Sequence, residues 1–222
     1  IDGVGVKMSR VSVDGEEGYP ANLSVSVTYS LSDDDALCLK YEASADGDTL
    51  CSLTNHAYFN LDGDFKTVLG HEVTIDSDYL TTVDDELIPH GEKRNIVGTA
   101  FDFKTPKTIG KDIKADEHML KIARGYDFNY VLNGEGFRKV ATAKGEKSGI
   151  KMSVYTDRPC MQFYTGNFLE GLQGKRVYGY QSAFCMETQG YPNAQNVPSF
   201  ESVKLEKGKT YSAVTEYKFD VE

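Results

Sequence analysis

Apolar and polar residues alternate with a period of two along several stretches of the chain. Leu23, Val25, Val27 and Tyr29 are separated by Ser24, Ser26 and Thr28, which puts the two sets on opposite faces of a strand. Ser32-Asp33-Asp34-Asp35 turns the chain, and Leu37, Leu39, Tyr41 and Ala43 form the return strand. Val140-Ala143 and Ile150-Thr156 predict a hairpin across Lys144–Gly149. The same alternation marks 211–219, and shorter strands are predicted around 4–8, 72–75, 80–83, 130–132, 162–165 and 203–205. Between 83 and 112 the pattern breaks, with Pro89, Gly91, Gly98, Pro106 and Gly110 as punctuation. Asp112–Ala123 is the one predicted helix, although Ile113, Met119, Leu120 and Ile122 make a poor amphipathic stripe. Many short strands with almost no helix predict an all-β chain: a large antiparallel β-sandwich with few short helices, forming a single domain over residues 1–222.

Composition narrows the partners. The chain has 222 residues, enough for one substantial core, and a net charge of −10. An acidic surface repels nucleic acid and anionic membrane, so neither is expected as a partner. No apolar run approaches the roughly 20 residues that a bilayer requires. The start, Ile1-Asp2-Gly3-Val4-Gly5, has no basic region followed by an apolar one. Cys38, Cys51, Cys160 and Cys185 stand singly among apolar neighbours, which predicts reduced thiols and a cytoplasmic protein.

Two stretches carry the candidate chemistry. Leu53-Thr54-Asn55-His56-Ala57-Tyr58-Phe59-Asn60-Leu61 places a histidine among amides and aromatics. Cys185-Met186-Glu187-Thr188-Gln189-Gly190-Tyr191-Pro192 holds the one charge between Arg176 and Glu201. If Cys185 faces the core, Met186 faces away and Glu187 shares the side of Cys185. A carboxylate partly withdrawn from water is a stronger base, and a histidine can serve as the acid opposite it. Asp127, between Tyr126 and Phe128, and Gln162, beside Phe163, are suited to hydrogen-bonding hydroxyl groups. Each has a structural counterpart: a core histidine held by hydrogen bonds, an ordinary ion pair, a turn aspartate and a packing amide. His71, His90 and His118 sit beside turns or acids and read as surface or structural residues. There is no HxH, HExxH, CxxC or GxSxG pattern, so no metal and no cofactor is expected.

These residues, taken together, resemble the aldose 1-epimerases, also called galactose mutarotases. The resemblance rests on Asp14–Pro20, Leu53–Leu61, Leu87–Glu92, Gly98–Phe103, Gly125-Tyr126-Asp127, Gln162–Asn167 and Met186–Gln189, in the family's order. It implies a galactose mutarotase-like sandwich and a small-molecule aldose as the partner. It implies that His56 protonates the ring oxygen, that Glu187 is the general base, and that Asp127 and Gln162 bind sugar hydroxyls. Phe128 stands where the family often has histidine, and Pro192-Asn193 where it has Pro-Asp. The chain begins where a member of the family would be about a third complete. The resemblance therefore implies that early strands, an arginine and a second histidine belong to a complementary N-terminal segment, with self-association as the alternative.

The implied reaction interconverts the α and β anomers of free hexoses such as galactose and glucose. Glu187 takes the C1 hydroxyl proton while His56 protonates the ring oxygen, the ring opens, C1–C2 rotates, and closure reverses both transfers. An inserted pyranose predicts a carboxylate-to-imidazole separation of roughly 5–8 Å. Three alternatives stay open from the residues alone. One is a non-catalytic carbohydrate-binding module of the same fold, and another is a fragment inactive without its N-terminal segment. The third is a glycoside hydrolase using Asp127 and Glu187 as its carboxylate pair.

Overall fold

The computed structural model describes residues 4–222. Ile1, Asp2 and Gly3, part of the front stretch considered above, lie outside the described residues. The alternating segments form strands, in places longer than their apolar pattern. They are β1 (Val4–Ser12), β2 (Leu23–Leu31), β3 (Ala36–Ala45), β4 (Thr49–Leu50), β5 (Glu72–Ile75), β6 (Ser77–Val83), β7 (Pro89–Asn95) and β8 (Lys107–Thr108). After the single α-helix among the described residues, α1 (His118–Ile122), come β9 (Asp127–Leu132), β10 (Arg138–Lys144), β11 (Ile150–Thr156) and β12 (Cys160–Tyr164). The last are β13 (Cys185–Gln189), β14 (Lys204–Leu205) and β15 (Thr210–Val221).

Two antiparallel sheets make the sandwich. One has eight strands in the order β1-β2-β3-β15-β11-β10-β5-β8, and the other has five in the order β13-β12-β9-β6-β7. Strands β4 and β14 form a separate pair. The predicted hairpin is present as β10 paired antiparallel with β11. The core lies between the sheets and is aromatic. Phe128 and Tyr130 of β9, Phe163 of β12 and Met186 of β13 meet Leu39 and Tyr41 of β3, Met152 and Val154 of β11, and Tyr217 of β15. Phe163 packs with Phe103 and Tyr126 at centroid distances of 5.4 and 5.7 Å. The Tyr217 hydroxyl donates to the Met186 carbonyl at 2.9 Å, so even the polar atom of this buried ring is satisfied.

Two expectations change. The predicted helix over 112–123 shrinks to five residues, because between Ile113 and Met119 no side chain is buried to anchor a stripe. The segment after Val83, read as irregular throughout, contains β7. This strand lies at the edge of the five-stranded sheet, where proline and glycine are tolerated and no apolar alternation is needed. No helix among the described residues is long and apolar enough to cross a membrane.

Candidate active site

Alternation along β13 decides where the carboxylate points. Met186 joins the core between the sheets, and the Thr188 hydroxyl meets that of Thr215 on β15 at 2.5 Å. Cys185, Glu187 and Gln189 therefore lie on the opposite face of the five-stranded sheet. Glu187 does share the side of Cys185, but Met186 rather than Cys185 faces the inter-sheet core. Register carries the face across two more strands. Gln162 is opposite Glu187 on one side and Asn129 on the other, and Tyr164 is opposite Cys185 and Asp127. Three adjacent strands thus present Glu187, Gln162 and Asp127 to one side.

That outer face is itself covered. Tyr191, Ala194, Val197 and Phe200 pack over Cys160, closing the face toward one end. A polar cavity of about 300 Å³ remains, lined by His56, Asp127, Asn129, Gln162, Glu187 and Gln189, with Val83, Leu87, Pro89 and Pro192 at its apolar side. It lies at the small end of the range for sites that hold small ligands.

His56 reaches this cavity from a segment that runs along the free edge of β13. Phe59 and Phe184 exchange backbone hydrogen bonds of 2.8 and 2.9 Å, and the Thr54 hydroxyl donates to the Thr188 carbonyl at 2.9 Å. The flanking asparagines shape the chain rather than the site. Asn55 accepts the Ala57 N–H and Asn60 accepts the Asp62 N–H, both at 3.1 Å, as asparagine does in local turns. The two turns leave the His56 ring projecting, its centroid 4.9 Å from that of Tyr58 with the planes tilted by 38°.

His56 Nε2 lies 3.4 Å from Glu187 Oε1, with the imidazole side chain 51% exposed and the carboxylate side chain 9%. This overturns the expected separation of roughly 5–8 Å. A buried carboxylate is costly without a partner, and a half-exposed ring on a loop is free to approach it. Burial pushes the Glu187 carboxyl up from its ordinary 4.5 to about 7; His56 opposes that rise, and the nearby Asp127 charge adds to it. Asp127 is also raised by burial, against a hydrogen bond from Gln162 Nε2 to its Oδ1 at 2.7 Å and the pull of His56. A carboxylate that titrates near neutral pH beside an imidazole can hand a proton either way.

The structure thus brings His56, Glu187, Asp127 and Gln162 to one cavity. It adds residues that the sequence reading passed over. Asn129 and Gln189 share the lining, joined by a hydrogen bond from Gln189 Nε2 to Asn129 Oδ1 at 3.1 Å. Stepping by two along the strand from Asp127 and from Glu187 reaches both of them. Cys185 places its sulfur 3.5 Å from His56 Nδ1. His56, Cys185 and Glu187 each offer a ligand atom within 4.8 Å of the others, a donor set suited to a soft divalent ion. The thiol and the carboxylate meet opposite ring nitrogens, however, whose lone pairs diverge. A single ion cannot take up both where they now contact the ring.

Comparison with known proteins matches this geometry to a family. The aldose 1-epimerase family model matches residues 2–218. The chain belongs to the aldose 1-epimerase family. The galactose mutarotase of Homo sapiens is 46% identical over 98% of this chain, and the aldose 1-epimerase of Escherichia coli K12 is 36% identical over 95%. The chain spans 63% and 62% of the length of those two relatives. Among solved structures, the aldose epimerase homologue from C. elegans superposes with a TM-score of 0.88 at 29% identity. That match covers 98% of this chain and 66% of the homologue. The family's sandwich is the one described above, and the predicted fold class and resemblance both hold.

Proposed function

We propose that this chain carries the acid–base face of an aldose 1-epimerase, interconverting the α and β anomers of free hexoses such as galactose and glucose. One observation carries the reading: an imidazole and a buried carboxylate titrating near 7 meet 3.4 Å apart on the wall of a polar cavity. The names borne by the human and E. coli relatives support the same activity.

Glu187 is the base and His56 the acid. The sugar enters by parting the pair, which the exposed His56 side chain permits. Glu187 removes the C1 hydroxyl proton as the His56 imidazolium protonates the ring oxygen. The C1–O5 bond breaks, a carbonyl forms at C1, rotation about C1–C2 turns its other face, and reclosure returns both protons. Asp127 and Gln162, already bonded to each other, grip sugar hydroxyls and fix the ring between acid and base. No step requires a metal or a cofactor. A non-catalytic sugar-binding module would have no use for a carboxylate raised toward neutrality, and that favours the enzyme. Four free thiols support the cytoplasm as its compartment. A complementary segment, or failing that a second copy, is proposed to complete the pocket.

The test is polarimetry on freshly dissolved α-galactose and α-glucose. The chain is assayed alone and completed by the remaining segment of the human galactose mutarotase. Faster approach to the equilibrium rotation is expected for the completed form. No acceleration by either form would overturn the reading in favour of sugar binding alone.

A further inference from the structure

One imidazole in this structure touches two very different groups. Nε2 of His56 faces the Glu187 carboxylate at 3.4 Å, and Nδ1 faces the Cys185 sulfur at 3.5 Å. The rings of Tyr58 and Tyr164 flank it, with centroids at 4.9 and 6.2 Å. Histidine side chains that work at one nitrogen are usually held at the other by a carboxylate or a carbonyl. Such a partner accepts the N–H strongly and raises the basicity of the ring. A thiol sulfur is a weak and uncharged acceptor.

We propose that Cys185 is a positioning residue for His56, its sulfur accepting the Nδ1–H so that Nε2 is the nitrogen that gives and takes the proton. The proposal rests on the acid role assigned to His56, and it adds how the ring is held. A group that donates its proton to a ring oxygen and later recovers it must keep the other nitrogen protonated in both states. Sulfur meets that need without adding charge. A carboxylate in the same place would hold the imidazolium so firmly that it would give up its proton less readily. Cys185 is fully buried on β13, two residues before Glu187, so one strand fixes both the base and the group that orients the acid. Burial pushes its thiol well above the usual cysteine range, which keeps the sulfur uncharged across the working pH.

The experiment is ¹⁵N NMR of histidine-labelled Glu187→Leu protein, which lacks the carboxylate that would otherwise draw a proton onto Nε2, with a further His56→Asn change identifying the His56 signals. The expected spectrum of the neutral ring places the proton on Nδ1. With Cys185→Ala added that preference is lost, and with Cys185→Ser, whose hydroxyl also accepts, it is kept. A neutral ring protonated on Nε2 in Glu187→Leu, or one left unchanged by adding Cys185→Ala, would overturn the proposal. In mutarotation assays Cys185→Ala should lower kcat about tenfold and leave KM unchanged, because the thiol does not touch the sugar. An equal change in KM would mark a merely structural role. If the protein proves inactive while the tautomer behaves as stated, the acid–base reading falls and the positioning stands.

Discussion

Among single residues, Glu187 couples the proposed chemistry to the stability of the fold. Its carboxyl lies at about 7 rather than 4.5, so the folded chain holds a proton that the unfolded chain would release between those values. Folded stability therefore falls as pH rises through that window, by on the order of 3 kcal/mol once both states are ionised. Glu187→Gln keeps the shape and removes the charge. It should lower catalysed mutarotation by about two orders of magnitude or more while sugar still binds. It should also raise the melting temperature at pH 8 and leave it unchanged at pH 4. A variant that melts with the wild type at both values would show that the carboxylate is not under strain. With Glu187 as the proposed base, wild-type turnover should be lost as pH falls below about 7, and, with the His56 imidazolium as the proposed acid, it should fall again at high pH. Asp127→Asn should act mainly on KM, read from initial rates over a range of sugar concentrations. His56 and Glu187 were legible because each stands apart from its surroundings, one as a ring among amides and the other as the lone charge in a long neutral run. Asn55 and Asn60 were misleading for the same reason. Their polarity drew attention to the site, yet they turn the backbone. The distance between acid and base was not legible, since it depends on a loop that sequence spacing does not describe.

At the scale of the element, the site depends on how β9 is entered. Gly125 has φ +146, and a Cβ there would meet Asn167 Oδ1 at 2.3 Å. Asn167 Nδ2 donates to the Tyr126 carbonyl at 2.9 Å, and Thr165 Oγ1 accepts the Tyr126 N–H at 3.1 Å. This clamp sits immediately before Asp127, the first residue of β9. Gly125→Ala forces the clamp apart, so a loss of about 1–3 kcal/mol is expected in urea denaturation. Weaker sugar binding through a displaced Asp127 should accompany it. Unchanged stability would mean that Asn167 yields without cost. Strand β9 was visible only as Tyr130–Leu132, because Asp127 and Asn129 interrupt its apolar pattern on the side that faces the cavity. Strand β7 was not visible at all, since an edge strand rich in charge carries no alternation to read. The central strands β2, β3, β11 and β15, with one face packed and one face wetter, were the most legible. Residues with chemistry to do thus blur the pattern of the strands that hold them.

At the scale of the whole molecule, the two sheets do not match in width. Pairing registers place Val4, Val6 and Met8 of β1 on the same face as Leu31, Tyr29 and Val27 of β2, and of Leu37, Leu39 and Tyr41 of β3. Leu39 and Tyr41 lie in the core, at 0% and 5% exposure. Val4, Val6 and Met8 continue the same apolar face and are 81%, 53% and 49% exposed. The five-stranded sheet ends at β13, and the His56 segment is the last cover. Asn55 Nδ2 donates to the Tyr29 hydroxyl at 3.2 Å, which anchors the His56 turn on β2. Strand β1 is also an edge, with one row of backbone donors and acceptors unpaired within the sheet. An apolar face beside an open edge favours pairing with another strand. The chain alone should therefore self-associate, measured by sedimentation at rising concentration. Val6→Lys with Met8→Lys should reduce that association while the far-UV spectrum stays that of a β-protein. The proposed complementary segment, laid over β1 and β2, would reach the His56 turn, so adding it should suppress self-association and raise the mutarotation rate together. A chain that stays monomeric at every concentration, and whose rate is indifferent to the added segment, would show that the uncovered face has no part in the site.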